Sequence, residues 1–433
     1  MKSWSVRADA AQKLGVSRRE LMRLAGLGGA ALVAGLGPLA PRVLAQQAQQ
    51  RRVHVKSDAK LFVPASATNR SGRYWEYNSY ITPVDRFYIR NYAATPLVDK
   101  AQWRLRVYGD GVGRELNLTY DDLLKLPTER AIYYLECYGN GRTLYWEQQN
   151  QTPRGSNWLL GAVSQAEWEY VPIGVILELA QVDTNKVRDV LFWSGVDTPF
   201  VGRPISIQEV LNRPREIGIA FSMNGDELPP DHGGPVRALV PGYGGAASTK
   251  WLTEVYFSAK RVWVPLNSND QVAVGTEWPK PQPDPQNDFF REVQPEQVVG
   301  LPLTYQNVKS FINLPLVIRR SPALGNYPLQ QNQLPQLSAG RHTMRGYAHS
   351  PWGVRLVEYR IDGGPWRRAT LLPPNLGRYT WVRFQFPFEA TPGVHVIETR
   401  ATDNHGNVQP TRVPFDALGH MNNSIPRFEV QVV

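Results

Sequence analysis

The sequence predicts an α+β protein: a mixed region of strands and helices up to about residue 304, then an immunoglobulin-like β-sandwich over 305–433. Three observations predict it. The 35 prolines, 36 glycines and 13 tryptophans are scattered rather than clustered, which suits short strands and many loops better than a helical bundle. In the first region strand-like apolar runs at 103–108, 131–135, 190–193 and 236–240 alternate with helix-like segments at 120–125, 173–180 and 207–212. Beyond 305, alternating runs at 343–349, 354–361, 379–386, 394–401 and 428–432 are separated by turn residues such as Asp362-Gly363-Gly364, Pro392-Gly393 and Asp403-Asn404. Regular spacing of that kind marks a sandwich.

With 433 residues, 42% hydrophobic and 20% charged, the chain can bury a substantial core in two or three domains. Residues 46–75 are polar and are expected to form a poorly structured lead-in. The main domain, over 76–304, opens near Tyr88-Ile89-Arg90-Asn91-Tyr92. The stretch 275–300 is dense in Pro, Gln and Asp and reads as a linker or surface excursion, which sets the boundary to the sandwich near 305.

The N-terminus pairs Arg18-Arg19 with a Gly/Ala-rich apolar run, Leu24 to Leu36, and ends at Val43-Leu44-Ala45, a small-residue cleavage pattern. Residues 1–45 therefore read as a twin-arginine export signal, placing the mature protein in the periplasm. The run is too short for the roughly 20 apolar residues of a membrane span, so no stable span is expected in the mature form. Removing it takes away seven basic and two acidic residues, and the formal charge falls from +10 to +5. No Lys/Arg block interleaved with aromatics remains, which excludes nucleic acid as the partner. Mild positive charge still suits a small anion. A route that moves folded proteins favours a bound cofactor.

There is one cysteine, Cys137. It excludes an internal disulfide, an attached c-type haem, an iron–sulfur cluster and a cysteine-based zinc site within the chain. Cys137 follows the apolar run 131–135 in Glu136-Cys137-Tyr138-Gly139-Asn140-Gly141-Arg142. It thus sits at a strand exit, beside glycines that permit a tight turn and an arginine that offers fixed positive charge. A lone cysteine packs as a small hydrophobe about as often as it ligates a metal, and the residues alone leave both open.

This segment resembles the Glu-Cys-Ala-Gly-Asn-x-Arg signature of the sulfite oxidase family, with Tyr138 in place of alanine. Other segments resemble the same family in the same order: Asp231-His232-Gly233-Gly234-Pro235-Val236-Arg237, Val240 to Ala246 with Lys250-Trp251, Tyr359 to Trp366, and Asn407 to Pro410. The resemblance implies a mixed molybdopterin domain followed by an immunoglobulin-like dimerisation domain, hence a homodimer. It also implies a mononuclear molybdenum–molybdopterin cofactor of dioxo type, with Cys137 as the protein's thiolate ligand.

Residue by residue, Tyr88, Ile89, Arg90, Asn91 and Tyr92 match the family's pterin-holding segment, with Tyr92 where a histidine is usual. Asp197, His232, Arg237, Ser248, Thr249 and Lys250 match further pterin and phosphate contacts. Arg237 and Lys250 suit a phosphate physically, although each alone reads as readily as a strand-end cation. Arg90, Arg142, Trp158 and Arg383, the last from the second domain, match the substrate pocket, where guanidinium groups replace the water around an oxyanion. The implied reaction oxidises sulfite, a small sulfur oxyanion, to sulfate by oxo transfer. Its electrons pass to an external acceptor of the c-type cytochrome kind.

The match departs beside the metal. The family's active-site tyrosine is missing from Pro199-Phe200-Val201-Gly202-Arg203, leaving Tyr138, Tyr92 or Tyr243 to supply a hydroxyl. Two alternatives therefore stand beside sulfite oxidation. One is molybdenum chemistry on another sulfur compound, by dehydrogenation of carrier-bound sulfur or by sulfoxide reduction. The other is a cofactor-free binding protein with Cys137 merely buried.

Overall fold

A computed structural model describes residues 61–66, 68–92, 94–196, 201–290, 293–322 and 327–433. The export-signal reading of 1–45 and the cofactor contact expected at Asp197 lie outside these residues. Two five-stranded sheets make the first region. One runs Asp226–Glu227, Gly218–Met223, Val163–Pro172, Glu129–Glu136 in antiparallel order, with Arg237–Leu239 also on Gly218–Met223. The other runs Leu116–Thr119, Arg104–Gly109, Glu254–Ser258, Asp189–Ser194, Val201–Ser206, and its one parallel pair is Arg104–Gly109 with Glu254–Ser258.

Short helices cover these sheets, and their starts are written in side chains. Thr119 caps Tyr120–Leu124 by accepting the Asp122 amide at 3.1 Å, while the Asp122 carboxylate answers the Thr119 amide. Ser206 caps Ile207–Asn212 through the Glu209 amide. Ile173, Ile176, Ile207 and Val210 turn inward against Val190, Phe192, Ile219 and Val255, which joins helices and sheets in one core.

The later strands form two sheets that pair among themselves. Lys309–Ile312, Gly340–His349, Trp381–Ala390 and Thr370–Leu372 make one. Gln336–Leu337, Arg427–Val432, Gly393–Asp403, Val354–Ile361 and Arg367–Arg368 make the other. Alternation along Trp381–Ala390 sends Phe384, Phe386 and Phe388 inward to meet Val357, Ile397, Ala401 and Phe428. That is a two-layer β-sandwich, as the alternating sequence predicts.

Two stretches differ from expectation. Within the lead-in, Phe62–Pro64 pairs with Arg70–Gly72, and Tyr74 is buried in the sandwich core with an edge-on contact to Phe311. Polar composition hid the few apolar anchors, Phe62, Val63 and Tyr74, that fasten it. The proline-rich stretch likewise lays Asp288–Phe289 beside Val262–Trp263 and buries Val293 and Val298 against Trp263. Among the described residues no helix is long and apolar enough to cross a membrane.

Candidate active site

Strand Glu129–Glu136 ends inside the protein and delivers Cys137 to the foot of a cleft. The turn that follows is closed by its own residues. The Asn140 amide donates to the Cys137 carbonyl at 2.9 Å, and its side chain donates to Glu136 Oε1 at 2.9 Å. The Asn140 side-chain oxygen accepts the Ala162 amide at 2.9 Å, tying the turn to the neighbouring strand. Gly141 takes a φ of 91°, where a side chain would be strained, and its absent Cβ leaves room for the Asn422 carbonyl. Cys137 is 8% exposed. Burial pushes its thiol pKa up, and the Arg90 and Arg142 charges pull it back.

The cleft measures about 650 Å³ including its open mouth. Tyr88, Arg90, Asn91 and Tyr92 form one wall, and Ser248, Thr249, Lys250 and Trp251 another, with His232 and Arg237 at the far end. Phe87 meets the His232 ring edge-on, and His232 Nε2 lies 3.2 Å from the Val84 carbonyl. Arg237 is buried and donates to the His232 and Ser248 carbonyls at 2.7 and 2.8 Å. Lys250 Nζ reaches Asn91 Oδ1 at 2.6 Å and the Asp231 carbonyl. Among the described residues neither cation has a carboxylate oxygen within ion-pair distance. Burial lowers the Arg237 pKa to about 10 and the Lys250 pKa well below its ordinary value.

The structure brings most of the sequence-predicted residues to this cleft, but not all of them. Ile89 is a buried strand-like tie, exchanging backbone hydrogen bonds with Arg70, and places its neighbours without lining the cleft. Arg142, expected to meet substrate, turns its guanidinium into the protein. It donates to the Leu418 carbonyl at 2.8 and 3.0 Å and to the Ser156 carbonyl, in a slot where Cβ atoms on Gly155 or Gly419 would collide with it. Its charge still acts on Cys137. Trp158 stands behind Tyr88, edge-on at 6.4 Å. Arg383 lies on a sandwich strand, bonded to the Pro373 carbonyl, and is not among the cleft-lining residues.

Of the three tyrosines considered, Tyr92 alone lines the cleft. The Tyr138 hydroxyl donates away from it, to the Thr304 carbonyl at 2.5 Å, and Tyr243 packs on Tyr305. Val201 lines the wall where the family has its tyrosine segment.

Sequence reading missed Leu266 and Gln271 in the cleft and Asp270 beside it. The Asp270 carboxylate stands 3.6 Å from the Arg90 guanidinium, whose other face covers the Tyr92 ring at 5.2 Å. These residues come from the single wide turn Leu266–Asp270 and its exit, which carries no motif. The one available signal was an acidic residue in an otherwise apolar and amide-rich stretch.

The cleft fits the expected cofactor. A buried arginine and a half-buried lysine without a carboxylate at ion-pair distance among the described residues suit a phosphate or pyrophosphate, and Gly245 and Ala246 keep one wall shallow. Among the described residues no three His, Cys, Asp or Glu side chains gather as a metal site, so a metal on Cys137 would take its remaining donors from the cofactor or solvent.

A buried thiol facing paired cations in this fold defines a molybdopterin-binding oxidoreductase. Residues 92–263 match the family model described as the oxidoreductase molybdopterin binding domain. The chain is 28% identical to the mitochondrial sulfite oxidase of Mus musculus over 82% of its own length and 62% of that protein's. It is also 28% identical to the NADH nitrate reductase of Ulva prolifera, over 81% of this chain and 40% of that one. The chain thus spans about two-fifths to three-fifths of these relatives' length. Among solved structures, the sulfane dehydrogenase SoxCD from Paracoccus pantotrophus shares the fold, with a TM-score of 0.66 at 21% identity over 94% of this chain and 93% of that one. Residues 92–263 thus carry a molybdopterin-binding oxidoreductase domain, and the chain as a whole is similar to sulfite oxidases and nitrate reductases.

Proposed function

We propose that the protein is a periplasmic sulfite dehydrogenase, exported by the twin-arginine route and working as a homodimer. It would turn sulfite and water into sulfate, two protons and two electrons, and pass the electrons singly to an external c-type cytochrome. The observation that carries this reading is the convergence of Cys137, Arg90 and the Arg237–Lys250 pair on one cleft. Cys137 would hold the metal of a dioxo-type centre, and Arg237, Lys250, Ser248 and Thr249 the phosphate of the pterin. Bound there, the cofactor supplies a two-electron, oxygen-transferring metal.

The chain's own residues do the rest. Arg90 offers its guanidinium to an oxyanion at the mouth, Tyr88 and Trp158 keep the inner wall dry, and Arg142 steadies negative charge at Cys137 from behind. Asn91 positions the Lys250 ammonium. Metal analysis of protein from an export-competent host, with turnover of sulfite and cytochrome, tests the reading. Molybdenum far below one per chain would sink it.

A second reading is favoured by Asp270. Its carboxylate offsets the Arg90 charge, and Tyr92 and Val201 add bulk without charge, which suits a sulfur group carried on a larger molecule better than a free dianion. Turnover of a carrier-bound sulfane with little turnover of sulfite would decide for it. Oxidation of a reduced dye by sulfoxides would instead point to the reducing direction.

A further inference from the structure

The front of Cys137 faces the cleft, and its back is held by the β-sandwich. We propose that Lys309, the first residue of sandwich strand Lys309–Ile312, positions the Cys137 turn through a buried ion pair with Glu136. Its ammonium lies 2.7 Å from Glu136 Oε1 and 2.8 Å from the Asn140 carbonyl, so one cation touches the residue before Cys137 and the residue three after it. Glu136 is fully buried and the Lys309 side chain 4% exposed.

No other charge among the described residues does this work. His349 Nδ1 is 3.8 Å from Glu136 Oε2, but burial holds its imidazole at a pKa of about 4, so it is neutral near pH 7. Among the described residues Glu136 Oε2, both His349 nitrogens and the Tyr134 hydroxyl have no hydrogen-bond partner, which leaves Lys309 as the charge that offsets the carboxylate, with only the neutral Asn140 amide beside it. Neighbouring ties come from the same side. Gln306 donates to the Glu136 carbonyl at 2.9 Å, and the Met421 amide to the Tyr138 carbonyl at 2.8 Å. Removing one partner of a buried pair strands the other charge, and a turn that opens toward water relieves it.

Because Cys137 is the only thiol, labelling of the cofactor-free protein with a maleimide reads the turn directly. Lys309→Met is expected to accelerate labelling roughly tenfold or more while the circular dichroism of the sheets persists. Adding Glu136→Gln removes the stranded charge and is expected to bring the rate most of the way back. A folded Lys309→Met protein that labels at the native rate overturns the proposal, as does a double variant that labels as fast as the single.

If Lys309→Met does not fold, Lys309→Gln keeps one donor. An intermediate labelling rate supports the proposal and a native rate overturns it. In the holoenzyme, which rests on the reading of Cys137 as metal ligand, Lys309→Met is expected to shift the thiolate-to-metal absorption band and to lower kcat more than it changes KM. If native holoenzyme has no such band, the ligand reading fails, and the labelling comparison still decides the role of Lys309.

Discussion

The two ends of the cleft hold their cations differently. At the far end the buried Arg237 and half-buried Lys250 lie among carbonyls and an amide, with no carboxylate oxygen within ion-pair distance among the described residues, and desolvation drives their pKa values down although the Asp231 charge pulls Lys250 back. At the Cys137 end Arg90 has Asp270 beside it, and Arg142 spends its donors on the Leu418 and Ser156 carbonyls. One end holds two cations against the single more distant carboxylate of Asp231, an excess of positive charge that suits an anionic ligand. At the other, Asp270 offsets Arg90 at the cleft while the Arg142 charge is turned inward, so it stabilises charge that forms there and grips a resting anion less strongly.

The largest expected effect is at the Cys137 end. Cys137→Ser should cut substrate oxidation by roughly a thousandfold or more while the pterin stays bound through the far end. Retained turnover in a steady-state assay would refute direct ligation.

Next comes the far end. Lys250→Met should weaken cofactor retention by about ten- to a hundredfold, the worth of a charge-assisted contact, as read by molybdenum content after gel filtration. The same substitution should raise the melting temperature of the cofactor-free protein. Its pH dependence has a definite sign. Burial puts the folded pKa of Lys250 below its ordinary 10.5, so the unfolded chain binds this proton more tightly. Stability is therefore lost as pH falls through the window beneath 10.5 and regained as it rises. Native cofactor-free protein should gain melting temperature between pH 7 and 9 relative to Lys250→Met, and a constant difference would break the comparison.

Asp270→Asn is a smaller change, expected to lower KM for sulfite about three- to tenfold by freeing the half-buried Arg90. An unchanged KM would mean that Asp270 does not balance this end. Arg383→Ala, outside both ends, should alter kcat/KM less than about threefold.

Much of this was legible in the sequence because it is local. The alternation of 354–361 and 379–386 fixes strands, and the cap residues Thr119 and Ser206 mark helix starts. Cys137, His232, Arg237 and Lys250 sit in contiguous motifs. Direction was harder to read than position. Arg142 belongs to the same motif as Cys137, yet the glycines at 155 and 419, remote in sequence, make the slot that turns it inward. Tyr138 adjoins Cys137, but the turn beyond the strand sends it away from the cleft, to where the Thr304 carbonyl, remote in sequence, accepts its hydroxyl. Asp270 and Lys309 act across 180 and 173 residues respectively, and no periodicity records such pairs.

The ties behind Cys137 also set an order in time. The turn at 136–142 is fastened by Gln306, Lys309, Leu418 and Met421, so a nascent chain cannot complete this seat until residue 421 has left the ribosome. A cofactor seated on this turn would then find its place complete only after both the mixed domain and the sandwich have been made and folded.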